Sequence, residues 1–247
     1  MGRTMRTLVV CGVFGLVAVS ARADSIDGYA GTTFTDDPAV PCQTASIGWR
    51  NSKPLGKPFR KGRLVHGVQL PSEGDFFFTW DFAFGSAPNA GWRRWGSDGT
   101  IRVLLTVLCE FRLAHPDAPR IGVGDVARTR GGFFGSKFGS LGHASHQNGL
   151  DFDVVYPRID RLEAAPASRS QIDRPLSQDL VNRFVAAGAQ FVFVGPKTGL
   201  TGPKGVVEGL IDHDDQFHVR LPRRIAVSPP PPAPGTNPSP LAPPPIG

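Results

Sequence analysis

Two short runs, DFDVV at 151–155 and QFHVRL at 216–221, place polar residues at every second position between apolar ones. In a strand, successive side chains point to opposite faces, so Asp151 and Asp153 share one face while Phe152 and Val154 share the other. By the same count Gln216, His218 and Arg220 share a face, and Phe217, Val219 and Leu221 share the opposite one. Each run asks for one side in a core and leaves carboxylates, an imidazole and a guanidinium on the other. A carboxylate among such apolar neighbours needs a cation or hydrogen-bond donors. The chain therefore has to build a sheet that carries a polar face.

Further short runs bounded by turn residues read as strands: RLVHGVQL, DFFFTWDF, RIGVGDV and QFVFVG. GSDGTIRVLLTVLCEFRLAHP reads as a helix that Ser97 or Asp98 caps and His115-Pro116 ends. LSQDLVNRFVAAG reads as a second helix, closed by Gly188. Few strands are separated by a full crossover helix. The expected class is α+β, with a small, mainly antiparallel sheet flanked by helices and long loops.

The ends of the chain differ from this middle. MGRTMR is basic, the next run TLVVCGVFGLVAVSA is apolar but short for a membrane span, and Ala21-Arg22-Ala23 offers small residues for cleavage. Residues 1–23 are expected to be a cleaved secretory signal. Cys11 is not read as a lipidation site, because Val9 and Val10 stand where small residues should precede it. From Ser228 on, ten of the 24 prolines crowd into SPPPPAPGTNPSPLAPPPIG, a polyproline II or disordered tail. Residues 24–227 then form one domain, without internal repeats.

Loss of Arg3, Arg6 and Arg22 with the signal leaves 24 basic residues against 21 acidic ones. Such a mild excess reads as an ordinary solvated surface, would also suit a polyanionic surface such as a cell wall, and argues against nucleic acid, since no basic run is interleaved with aromatics. Stable insertion in a membrane after signal cleavage is not expected. Cys42 and Cys109 remain in an oxidising compartment, where they are expected to bridge; Cys109 also reads as a small buried hydrophobe on its helix. The glycine-rich stretch RGGFFGSKFGSLG at 130–142 lacks phosphate-loop spacing and reads as a flexible rim or an ordinary surface loop.

Just beyond it, GHASHQNGLDFDVV packs two histidines and two aspartates into 142–155. Six residues separate His146 from Asp153, and Asn148-Gly149 favours a turn between them. Alone, this pair fits either a metal site or a polar turn with a hydrogen-bonded aspartate. His218, brought beside it, completes three N/O ligands, the number that leaves a fourth position on zinc open.

GHASHQNGLDFDV together with HDDQFHVRL resembles the penicillin-insensitive murein endopeptidases, zinc peptidases related to lysostaphin and the D-alanyl-D-alanine peptidases. Milder resemblance at Ser46-Ile47-Gly48, Gly124-Asp125 and Arg130-Gly131-Gly132 extends it over most of the domain. The resemblance implies a Zn²⁺ ion on His146, Asp153 and His218, with His143 and His213 in the same neighbourhood. It implies hydrolysis of the D-alanyl to meso-diaminopimelyl cross-link between peptidoglycan stem peptides, in the periplasm or cell envelope of a bacterium.

One position departs from the family pattern: Gln216 stands where a histidine is usual. A glutamine amide donates a hydrogen bond to an oxyanion but does not carry a proton near pH 7. Either His213, Asp214 or Asp215 does the proton work, or the metal centre works at reduced rate, or the protein binds cell wall without cutting it. A carboxypeptidase on the same scaffold is a further alternative. Asp151 is expected to support a ligand, and Arg220 to orient a substrate carboxylate or to form a structural ion pair. His66 and His115 read as ordinary residues.

Overall fold

The computed structural model describes residues 48–135 and 143–224. The expected signal, the proline-rich tail, Cys42, Ser46-Ile47 and the stretch 136–142 lie outside the described residues. Cys109 is disulfide-bonded.

The strands, in chain order, are β1 (Lys53–Lys57), β2 (Arg60–Val65), β3 (Val68–Gln69), β4 (Glu73–Gly74), β5 (Phe77–Thr79), β6 (Trp95–Gly96), β7 (Ile121–Val123), β8 (Asp151–Val155), β9 (Phe191–Val194), β10 (Val207–Gly209) and β11 (Gln216–Arg220). The two α-helices among the described residues are α1 (Asp98–Ala114) and α2 (Arg174–Ala186). Seven strands form one sheet in the order β10-β9-β11-β8-β7-β5-β4. Its pairs are antiparallel except β10 with β9 and β5 with β7. The fold is α+β, as the lack of regular crossovers predicts, and β1-β2 and β3-β6 form two small ribbons beside the main sheet.

Several expected strands are shorter than their apolar runs. RLVHGVQL breaks at His66, whose φ of 53° lies in the left-handed region, so β2 and β3 join different sheets. DFFFTWDF keeps only Phe77–Thr79 as strand. β1, β4, β6 and β10 carry almost no apolar pattern, and pairing rather than side-chain alternation defines them.

Both helices follow from local signals. The Ser97 side chain accepts from the Thr100 backbone N–H at 3.1 Å, and His115-Pro116 ends α1. Asp173 accepts from the Leu176 N–H at 3.1 Å with Pro175 in the first turn of α2, and Gly188 follows its end with φ 84°. The apolar stripes of α1 and α2 pack on the face of the main sheet that carries Phe152, Val154, Phe217 and Val219. Phe184 of α2 sits between Phe152 and Phe217, with ring centroids 5.3 and 5.9 Å away. Cavities left by such aromatics cost about 3–5 kcal/mol, so this seam fixes the helix layer to the two strands that carry the polar face. No helix among the described residues is long and apolar enough to cross a membrane.

Candidate active site

β8 and β11 are antiparallel neighbours, and their register pairs His218 with Asp153 and Arg220 with Asp151. Residues directly opposite in a ladder point to the same face. The apolar partners are driven into the helix layer, so Asp151, Asp153, His218 and Arg220 emerge together on the other side. His146 arrives from the preceding loop. It adopts φ 63°, a left-handed conformation uncommon outside glycine, and Gly149 follows with φ 76°. A Cβ at Gly149 would lie 2.9 Å from Leu64 and 3.2 Å from the Gly96 backbone, so this bend needs glycine. Asn148-Gly149 thus turns the chain as anticipated, without forming a hairpin.

Three donor atoms converge. His146 Nε2 lies 3.0 Å from His218 Nδ1 and 3.3 Å from Asp153 Oδ1, and His218 Nδ1 lies 3.1 Å from the same oxygen. A tetrahedral zinc with bonds of about 2.0–2.1 Å separates its ligands by about 3.3 Å, so the spacing fits that ion. The opposite ring nitrogens fix the tautomers. His146 Nδ1 donates to the Val126 carbonyl at 2.8 Å and His218 Nε2 to Asp151 Oδ1 at 2.9 Å, which turns the remaining lone pairs toward each other and toward a carboxylate. Asp153 Oδ2 is buried with no hydrogen-bond partner among the described residues, an arrangement that a cation relieves.

Electrostatics agree. Burial opposes ionisation of Asp153, but the surrounding imidazoles of His146, His218 and His143 outweigh it and hold the carboxyl well below its usual range. Burial lowers the pKa of His218, yet Asp151 and Asp153 overcome it and push the ring up to about 9. A proton on His218 Nδ1 would face the same His146 and Asp153 atoms as a bound cation.

His143, His146 and Asp153 also offer donor atoms within 4.8 Å of one another and could hold a metal. His143 is engaged elsewhere, however: its Nε2 lies 2.6 Å from Asp125 Oδ2 and 3.9 Å from Asp153 Oδ2. Burial works against the charge on His143, and the hydrogen bond to Asp125 more than restores it, raising the pKa. Asp125 is wholly buried and accepts from Asn89 Nδ2 at 2.9 Å and from Arg93, Nε at 2.7 Å and Nη2 beside its second oxygen. Arg93, itself 1% exposed, also lies 3.9 Å from Asp81. Backbone bonds from Gly124 N–H to the Asp153 carbonyl and from Asp153 N–H to the Asp125 carbonyl lock this network to β8.

The sequence offered Gly124-Asp125 only as part of a resemblance, and Arg93 and Asn89 not at all. Their partners are 32 and 36 residues away, so no local pattern marks them.

A cavity of about 480 Å³ opens over the triad, lined by His143, His146, Asp153, His213, Gln216, His218 and Arg220 together with Phe59, Phe193, Leu210 and Ile211. His213 Nδ1 donates to the Ile211 carbonyl at 2.8 Å, and burial lowers its pKa, so the ring is neutral with its lone pair on Nε2. Its ring centroid is 6.2 Å from that of His218. The buried Oε1 of Gln216 has no hydrogen-bond partner among the described residues. Arg220 donates from Nε to Asp151 Oδ1 at 2.7 Å, the same oxygen that His218 uses. Asp214 and Asp215 line a separate cavity with Asp212 and Arg169, and burial raises Asp215 to about 6. His66 is exposed, and His115 pairs with Asp179 at 2.9 Å.

The family model of the penicillin-insensitive murein endopeptidases matches residues 56–189. The chain belongs to that family. No curated protein matches it. The matched residues include His143, His146, Asp151 and Asp153 and end before β9. Gln216, His218 and Arg220 lie beyond the matched residues and reach the cavity through the pairing of β11 with β8, and His213 lines it from the loop before β11. A murein endopeptidase acts on the cell wall, so its substrate is peptidoglycan.

Proposed function

We propose that the chain is an exported zinc D,D-endopeptidase that hydrolyses the D-alanyl to meso-diaminopimelyl cross-link of peptidoglycan. The observation that carries this reading is the convergence of His146 Nε2, His218 Nδ1 and Asp153 Oδ1 within 3.0–3.3 Å of one another at the floor of an open cavity. These residues would hold zinc, and two imidazoles with one carboxylate are a donor set that catalytic zinc takes. When bound, zinc supplies Lewis acidity, polarising a carbonyl and bringing the pKa of water toward neutrality.

The remaining work falls to side chains. His213, neutral and with Nδ1 tied to Ile211, has Nε2 free to take a proton from the attacking water and to hand it to the leaving amine. Gln216 can donate its amide N–H to the oxyanion, a role that asks for no proton transfer. Asp151 orients His218, and Asp125 orients His143 at the cavity wall. In this reading residues 1–23 direct export, 24–227 form the peptidase domain, and the tail from 228 acts as a spacer.

The test is mass spectrometry of purified cross-linked muropeptide dimers incubated with the zinc-loaded protein, beside a chelator-treated sample. Dimers should become monomers with one water added per cut, and the conversion should stop with chelator and return with zinc. Intact dimers in the presence of bound zinc would replace this reading with that of a wall-binding protein.

A further inference from the structure

Arg220 is the only lysine or arginine among the described residues that line the cavity. Its guanidinium has three neighbours among the described residues. Nε donates to Asp151 at 2.7 Å, and the rings of Phe59 and Phe191 cover the group at 5.8 and 5.9 Å. Nη1 and Nη2 donate to no described residue, and the side chain keeps 12% of its exposure, in a cavity wall. A planar cation held at Nε and flanked by two aromatic rings offers its outer edge to a two-oxygen anion. Because Arg220 and His218 share Asp151 Oδ1, that outer edge is fixed relative to the triad.

The proposed substrate carries such an anion next to the bond to be cut. In a D-alanyl to meso-diaminopimelyl cross-link, the amide nitrogen sits on a carbon that also bears a free carboxylate. We infer that Arg220 binds this carboxylate, so that the site selects amides whose nitrogen-bearing carbon carries an ionised carboxyl group. The inference rests on the cross-link reading given above. Amidation of that carboxyl removes both the charge and one acceptor, and leaves a donor facing the guanidinium. A D-alanyl-D-alanine terminus has its carboxylate at the same distance from its amide, so it competes for the same anchor.

The experiment titrates the zinc-loaded protein with a stem tripeptide ending in meso-diaminopimelate, with the relevant carboxyl free or amidated, and in parallel digests cross-linked dimers of both kinds. The free tripeptide should bind on the order of tenfold to a hundredfold more tightly, the range of a charge-assisted hydrogen-bonded pair. Arg220→Gln should erase this preference and Arg220→Lys should keep part of it, both with zinc content unchanged. Equal binding of the two tripeptides, or an undiminished preference in Arg220→Gln, would overturn the anchor. If the free form binds preferentially while neither dimer is cut, the anchor stands and the endopeptidase reading falls. Cutting of both dimers at equal efficiency would sink the anchor and leave the endopeptidase reading in place.

Discussion

In the proposed mechanism, Gln216 bears on how the proton moves. It lines the cavity two residues before His218 on the same strand, where an imidazole would serve as carrier, yet its amide only donates or accepts hydrogen bonds. His213 is the neutral imidazole to which the proposed mechanism gives that work, and it reaches the cavity from the loop before β11 rather than from the strand itself. Because His213 is proposed to carry the proton, Gln216→His is expected to change turnover by less than about tenfold, below the range that general-base help spans. Steady-state kinetics on a soluble dimer checks it, and a rise of about tenfold or more would show that His213 does not carry the proton and that the native centre works at reduced rate. Alternation alone placed Asp151 with Asp153, and His218 with Arg220, on one face of their own strands, and the register of β8 with β11 then brought the two faces together. The left-handed backbone of His146 was not legible, since a histidine adopts it only under tertiary constraint.

At the scale of elements, the site rests on β7, β8 and β11 and on a buried charge network that joins them to the 3₁₀ turn Gly91–Arg93. Burial raises the cost of the Asp125 charge, and His143 and Arg93 offset it, so the carboxyl stays below its usual range. Asp125→Ala leaves the Arg93 guanidinium buried without its main partner and releases His143. The expected loss is about 3–5 kcal/mol of stability in urea unfolding, the cost of an uncompensated buried charge. Adding Arg93→Ala to that variant should cost much less than it does alone, because the pair acts as one unit. Additive losses would mean that the two residues do not support each other. This network also marks where sequence reading runs out. Helix caps at Ser97 and Asp173 and the runs DFDVV and QFHVRL are local statements, and both helices and both strands stand where they were expected. β1, β4, β6 and β10 exist through partners distant in the chain, as does the Arg93–Asp125 pair, and neither has a signature in its own residues.

For the whole molecule, the proposed zinc would compete with protons for the same pocket. Asp151 and Asp153 raise the His218 pKa to about 9 from an ordinary 6.5, so between these pH values, without a bound cation, the folded chain would hold a proton that the unfolded chain has released. A raised histidine pKa contributes its stability in full below about 6.5 and loses it as pH climbs through 9. A zinc-loaded fold keeps the ring neutral throughout and shows no such loss. Zinc affinity should therefore tighten by close to tenfold per pH unit across this window, with about one proton released per ion bound. The melting temperature gained on adding zinc should widen over the same range, since a ligand bound only to the folded state stabilises by RT ln(1 + [L]/Kd). Calorimetric titrations in two buffers of different ionisation enthalpy measure the released proton directly. A zinc affinity flat between pH 6.5 and 9 would mean that His218 is not displaced by the metal, and the assignment of Nδ1 as a ligand atom would fall with it.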